Sequence, residues 1–210
     1  MENGFADIGK VYDVESLREE LAGVDLSWAE GVTVHHTAFP NLDMRPKGFT
    51  VQHMRNVAWG YQHDRGWSTG PHLFVDEDQA FGMCPLGRPG VHARSFNQSH
   101  IGVELLGDYD SNYEVNSVRG RQVISNGSRI IATICDSQNW DESSVNMHRN
   151  DPKTRKTCPG AHFPWLDFKQ RIASYLEDRG ETTTEPVDNR ALRERIAHIE
   201  WQLAQMKKLL

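Results

Sequence analysis

The chain has 210 residues, of which 38% are hydrophobic and 25% are charged, and its formal net charge at pH 7 is -6. This composition is typical of a soluble globular protein with one main domain and an appendage. The negative charge argues against nucleic acid as a partner, because phosphate binding normally needs a basic face. No apolar run approaches the roughly 18 residues of a membrane span, and the amino terminus lacks the basic and apolar segments of an export signal. We therefore expect synthesis in the cytoplasm without export by that route.

The first 27 residues predict an amino-terminal segment with one short helix, capped by Asp13 and continuing over residues 14–21. The β-branched run at 31–36 predicts a strand that enters the core and ends in two histidines. Because side chains alternate across a strand, His35 and His36 should face opposite sides. At most one of them points into a given site, and the pattern leaves open which one.

The later periodic segments predict a helix at 51–66, strands at 72–75, 80–84 and 101–106, a helix within 118–140 and an amphipathic helix at 164–176. An acidic turn joins the strands at 72–75 and 80–84, which indicates a hairpin. The strand at 101–106 is apolar except for Glu104. A carboxylate in such a strand is costly to bury unless another group pairs with it. Glu104 is thus a candidate for chemistry, with a structural ion pair to an arginine as the alternative.

The loop at 148–159 carries an imidazole, His148, and a thiol, Cys158, ten residues apart, with Lys156 two positions before the thiol. The loop is too rich in Pro, Asp and Lys for a core element and is typical of a site. Histidine and cysteine are ligands that zinc prefers, but a catalytic zinc needs about three protein ligands and an open position. A third donor must come from elsewhere. The three cysteines of the chain are too few and too unevenly spaced for a disulfide framework, so free thiols are expected.

The carboxy-terminal residues differ in composition from the rest of the chain. Residues 179–188 have the composition of a linker, and residues 189–210 contain a heptad pattern of roughly three repeats. The apolar positions of this pattern are Leu192, Ile196, Ile199, Leu203, Met206 and Leu210. The pattern predicts a coiled-coil helix that makes a homo-oligomer. The alternative is an amphipathic helix that folds back onto the domain.

Three motifs carry a resemblance to a known family. They are V-H-H-T-A around His35, S-x-I-G-V-E-L-L-G at 99–107, and H-R-N-D followed by R-K-T-C-P-G at 148–160. In this order they resemble the zinc-dependent N-acetylmuramoyl-L-alanine amidases, a family that includes phage endolysins, muropeptide-recycling amidases and peptidoglycan recognition proteins. The resemblance covers about residues 28–178, the predicted catalytic domain. It implies an α/β fold with a mixed central sheet flanked by helices, to which the coiled-coil helix is added.

The resemblance implies a role for each matching residue. His35, His148 and Cys158 would be the ligands of Zn²⁺, with water in the fourth position. Lys156 would stabilise the oxyanion, and Glu104 would activate the water, as a carboxylate does in the recycling-type members. The segment with two further positions, His92 and Asn97, lines the substrate groove in relatives.

One departure from the family pattern concerns a tyrosine that endolysin-like members and recognition proteins use, where this chain has Pro71. Glu104 is expected to replace its role. The resemblance implies hydrolysis of the bond between the lactyl group of N-acetylmuramic acid and L-alanine in peptidoglycan, by a phage or prophage endolysin that a holin releases to the cell wall. The alternatives are a cytoplasmic amidase that recycles anhydromuropeptides and a non-catalytic peptidoglycan-binding module.

Overall fold

The computed structural model describes residues 4–178, which contain a six-stranded mixed sheet. Its strands are β1 (Val11–Tyr12), β2 (Gly31–His36), β3 (Leu73–Val75), β4 (Ala80–Gly82), β5 (His100–Leu105) and β6 (Val145–Met147). Across the sheet the order is β1-β4-β3-β5-β2-β6. β2 is parallel to β5 and β6, and β3 is parallel to β5, whereas β4 is antiparallel to β1 and β3. The predicted hairpin of β3 and β4 is confirmed, and so is the mixed sheet.

The helices of the described residues are α1 (Val14–Ala22), α2 (Val51–Arg65), α3 (Asn112–Asn116), α4 (Val118–Ser137) and α5 (Trp165–Glu177). Two short 3-10 helices flank β6, at Glu142–Ser144 and His148–Asn150. Asp13 caps α1 as predicted, since its carboxylate accepts the backbone N–H of Ser16. α2 ends at Arg65, and Gly66 caps it as predicted, with a φ of 65° in the left-handed region that favours glycine.

The two faces of the sheet have different roles. Ile101, Val103 and Leu105 of β5 point to one face, where they are fully buried. α4 packs closely against this face, because a Cβ at Gly127 would lie only 2.6 Å from a methyl carbon of Leu105. This close approach explains why α4 has a glycine at position 127, since a larger residue would clash with Leu105. Glu104 alternates to the opposite face.

The opposite face holds the predicted site residues. Glu104 is paired in register with His35 of β2 and with Phe74 of β3, and residues paired in this way point to the same face. The carboxylate therefore lies beside the histidine at the ends of adjacent strands, away from the apolar core under α4. The alternation of the strands alone accounts for this separation of core and site.

The structure also differs from the sequence-based expectation. β1, β6 and α3 were not predicted, since β1 and β6 have only two and three residues and show no clear alternation. The helix within 118–140 begins at Val118, ahead of both of its glycines. The linker at 179–188 and the heptad pattern at 189–210 lie outside the described residues. Within residues 4–178, no helix is both long and apolar enough to cross a membrane.

Candidate metal centre and active site

Two of the predicted metal ligands leave the sheet side by side. β2 and β6 are parallel neighbours with Val34 opposite Met147. The next residues of the two segments, His35 and His148, therefore emerge together at the same edge of the sheet. Their ring centroids are 4.5 Å apart. The strand pairing, which sequence analysis had not predicted, is what brings these two imidazoles together.

The loop that follows β6 places Cys158 at the same edge of the sheet as His35 and His148. The backbone N–H of Arg149 donates to the carbonyl of Cys158 at 2.8 Å, and the backbone N–H of His36 donates to its Sγ at 3.4 Å. The Sγ lies 3.6 Å from Nδ1 of His35. The three donor atoms of His35, His148 and Cys158 all lie within 4.8 Å of one another, and all three residues are buried.

This arrangement fits a zinc ion. In a tetrahedral zinc site with Zn–S of about 2.3 Å and Zn–N of about 2.0 Å, sulfur and nitrogen are about 3.5 Å apart. The distance of 3.6 Å between Sγ of Cys158 and Nδ1 of His35 is close to this value. Burial, and next the charge of Glu104, raise the pKa of the Cys158 thiol. A bound cation would favour the thiolate, and burial lowers the pKa of both His35 and His148, which favours the neutral form that ligation requires.

The three donors line one wall of a cavity of about 580 Å³. Glu104 and Lys156 line it too, and Oε1 of Glu104 lies 3.9 Å from Nδ1 of His35. Burial raises the pKa of Glu104 to about 8, while the positive charge of Lys156 acts in the opposite direction. Lys156 is exposed. The cavity thus combines three candidate metal donors, a carboxyl of perturbed acidity and an ammonium.

The family model Amidase_2, described as N-acetylmuramoyl-L-alanine amidase, matches residues 26–161. The chain belongs to this family. The matched range contains His35, Glu104, His148, Lys156 and Cys158, and it ends before α5. It excludes residues 179–210, so family membership says nothing about the carboxy-terminal segment.

Solved structures of other proteins have the same fold. The N-acetylmuramoyl-L-alanine amidase LysC from Clostridium intestinale is 20% identical, with a TM-score of 0.53 over 69% of this chain and 85% of its own. The catalytic domain of XlyA is 24% identical, with a TM-score of 0.52 over 69% and 86%. A mutant endolysin from Bacillus subtilis is 23% identical, with a TM-score of 0.51 over 71% and 92%. At these identities the likeness concerns the fold alone. No curated protein matches the sequence.

The two residues predicted to bind substrate differ in position in this amidase. His92 lines the cavity, and its Nδ1 is 3.0 Å from Nε2 of His35. Asn97 is not in the cavity wall formed by the described residues, and its Oδ1 accepts the backbone N–H groups of His92 and Ala93 at 2.8 Å each. Direct contact of either side chain with substrate stays a prediction. The structure places His92 against a metal ligand and Asn97 in the turn that presents His92.

The second histidine of the pair is near the site but is turned away from the donor group. The Nδ1 of His36 accepts the backbone N–H of Tyr109 at 3.0 Å, and its Nε2 is 4.0 Å from Asp110. These contacts explain why His35, and not His36, belongs to the donor group. His36 nevertheless lines the same cavity as His35, so the expectation that at most one of them reaches the site holds for the donor group alone.

Several residues of the cavity wall were not singled out from the sequence as site residues. Val57, Tyr61 and Arg65 lie along one side of α2 at intervals of four, and all three face the cavity. The guanidinium of Arg65 lies 5.0 Å from the ring centroid of Trp67, which also lines the cavity. The spacing of four is a detectable signal, but it is shared with every helix face that packs on a core. Pro71, the position of the departure from the family pattern, lies in the same wall.

Proposed function

We propose that this amidase is a zinc enzyme that hydrolyses the bond between the lactyl group of N-acetylmuramic acid and L-alanine in peptidoglycan. The observation that carries the proposal is the convergence of one thiol and two imidazoles within 4.8 Å at the edge of a cavity. Membership of the N-acetylmuramoyl-L-alanine amidase family supports the choice of bond.

His35, His148 and Cys158 would hold the zinc ion. When bound, zinc polarises a carbonyl group and makes water acidic enough to act as a nucleophile near neutral pH. The three donors line the same cavity as Glu104 and Lys156. The substrate carbonyl is therefore expected to approach from the cavity side.

Glu104 and Lys156 have distinct roles in this proposal. The carboxylate of Glu104 takes one proton from the attacking water and delivers it to the departing nitrogen. The C–N bond then breaks, which gives the free amine of L-alanine and a carboxylic acid on the lactyl group that ionises at neutral pH. General acid–base catalysis of this kind contributes on the order of 10²- to 10⁴-fold in rate. The ammonium of Lys156 stabilises the negative charge that develops on the carbonyl oxygen. Its position two residues before Cys158 fixes it at the cavity.

The test combines metal analysis with product analysis. Protein purified under reducing conditions should contain one zinc per chain and release peptides with free amino-terminal alanine from purified murein. Cys158→Ser should lose most of the zinc and the activity. Cys84→Ser is the matched control, because Cys84 is a buried thiol whose Sγ only accepts hydrogen bonds from Thr69 and Gly70. A chain that takes up no zinc and releases no peptide, but binds murein, would instead be a peptidoglycan-binding module.

We propose that the biological role is that of an endolysin. The support comes from the solved structures with the same fold, of which two are named endolysins. The carboxylate at Glu104 favours the second candidate, an amidase that recycles soluble anhydromuropeptides. Rates on intact sacculi and on purified anhydromuropeptides separate the two roles. A preference for sacculi supports the endolysin, and a preference for the soluble substrate supports recycling.

A further inference from the structure

We propose that His92 is a positioning residue for the metal site, which fixes the tautomer and the orientation of His35. Three groups form a chain that leads from the backbone to the metal ligand. The Nε2 of His92 is 2.9 Å from the carbonyl oxygen of His100, and its Nδ1 is 3.0 Å from Nε2 of His35. The other nitrogen of His35, Nδ1, is the one that faces Cys158 and Glu104. This inference rests on the proposed zinc site.

The direction of each hydrogen bond follows from its first member. A carbonyl oxygen only accepts hydrogen bonds, so the Nε2 of His92 must carry the proton. In a neutral imidazole the Nδ1 of His92 is then an acceptor, and the Nε2 of His35 must donate to it. The Nδ1 of His35 is then unprotonated, with its lone pair directed at Sγ of Cys158 in the donor group. The carbonyl of His100 thus selects, through His92, the tautomer of His35 in which Nδ1 can bind a metal.

The ring of His92 is itself held in place. It packs on the backbone of β5 at Gly102, where a Cβ would lie only 2.5 Å from the Cγ of His92. The turn that carries it is closed by Asn97, whose Oδ1 accepts the N–H groups of His92 and Ala93. Ligating histidines commonly have such a second partner, and loss of the partner lowers metal affinity about 10- to 100-fold.

This arrangement makes a different prediction from direct substrate binding by His92. Both ring nitrogens of His92 are already engaged, one with a carbonyl and one with His35. No nitrogen is left to bind an incoming substrate without breaking the chain. A positioning role therefore predicts a change in metal affinity, whereas a substrate contact predicts a change in KM with unchanged metal affinity.

The test is a pair of variants with side chains of the same shape. His92→Asn keeps an oxygen near the position of Nδ1, which can accept the N–H of His35, whereas His92→Leu has no polar atom. The zinc dissociation constant of the full chain is measured by competition with a chelating dye under reducing conditions. We expect His92→Leu to bind zinc about 10- to 100-fold more weakly, and His92→Asn to stay close to the wild type. His63→Leu, on the exposed side of α2, is the control and should bind zinc as the wild type does.

A second readout is the visible spectrum of the cobalt-substituted protein, which reports the geometry of the ligands. It should change in His92→Leu and be restored in His92→Asn. If His92→Leu does not fold, His92→Phe replaces it, since its ring fills the same space without nitrogen. Wild-type zinc affinity in the apolar variant that folds, His92→Leu or His92→Phe, would overturn the inference and leave the zinc enzyme intact. A wild-type chain that binds no zinc would instead refute the proposed function.

Discussion

At the scale of single residues, Glu104 combines two opposed requirements. It must be ionised to accept a proton, yet burial raises its pKa to about 8, so the metal-free carboxyl is largely protonated at neutral pH. A nearby cation favours the ionised form, and the positive charge of Lys156 already acts in that direction. A divalent ion at the donor group would add to the effect. Glu104 therefore suits a site that includes a cation. Without a cation, the ionised carboxylate lowers the free energy of unfolding.

The stability of the metal-free protein should show this cost. A carboxyl whose pKa is raised by folding binds protons more tightly in the folded state, so its contribution to the unfolding free energy falls as pH rises from about 4.5 to about 8. We expect Glu104→Gln to stabilise the metal-free protein at pH 8, by up to a few kcal/mol, and to have little effect at pH 4. Urea unfolding in a chelator at both pH values measures the difference. Glu19→Gln, on the exposed side of α1, should show no such pH dependence; an equal effect of both variants would contradict the assignment.

Lys156 offers a second prediction at this scale. Its exposed ammonium lines the cavity without belonging to the donor group, so Lys156→Met should leave zinc content unchanged. Removal of one group that stabilises an oxyanion costs on the order of 10²- to 10³-fold in kcat. Steady-state hydrolysis of a soluble muropeptide measures the loss. Lys153→Met, in the same loop and equally exposed, is the matched control and should keep the wild-type kcat.

At the scale of secondary structure, Gly102 of β5 leaves room for the side chain of His92, which contacts His35. The side chain of His92 occupies the space beside the Cα of Gly102. A Cβ added at Gly102 would lie 2.5 to 2.9 Å from three carbon atoms of His92. Gly102→Ala should therefore lower the unfolding free energy by about 1–3 kcal/mol, as overpacking of a core does. Zinc affinity should fall in the same variant, because His92 is displaced from His35.

The control for Gly102→Ala is Gly60→Ala in α2, where the nearest atom to a new Cβ is 3.6 Å away. Alanine within a helix is favoured over glycine, so this variant should be neutral or more stable by up to about 1 kcal/mol. Thermal unfolding and dye competition on both variants make the comparison. Unchanged zinc affinity in Gly102→Ala would contradict the prediction, because it would mean that the packing of His92 on β5 does not affect zinc binding.

Much of this element structure is predictable from the sequence, because periodicity is a local signal. The helical spacing within residues 51–61 and the glycine at 66 predict the bounds of α2 to within one residue. The apolar run at 101–106 predicts β5 to within one residue, with Glu104 as its exception. The convergence of His35 with His148 depends on the pairing of β2 with β6, a three-residue strand with no pattern of its own. Only the resemblance to a family predicted it. The contact of His92 with His35 likewise depends on a loop packed over Gly102, which no local pattern indicates.

At the scale of the whole molecule, the predicted division into an amidase domain and a carboxy-terminal helix can be tested by cutting the chain. The donor group, the cavity and the family match all lie before residue 179. A chain that ends at Asp178 should therefore keep the full rate on a soluble muropeptide. If the heptad pattern at 189–210 makes an oligomer, the shorter chain should be a monomer in light scattering while the full chain has a multiple of its mass.

A point substitution tests the same prediction without removing any residue. Leu203 is one of the six apolar positions of the pattern, and its neighbour Gln202 is not. A charge at a core position of a coiled coil must be desolvated on association, so Leu203→Asp should dissociate the oligomer, whereas Gln202→Asp should leave the mass unchanged. On intact sacculi, where several catalytic domains can act on one surface, dissociation should lower the apparent affinity but not the rate per site. A full chain that is already a monomer would show that the apolar positions serve another purpose, such as packing on the amidase domain.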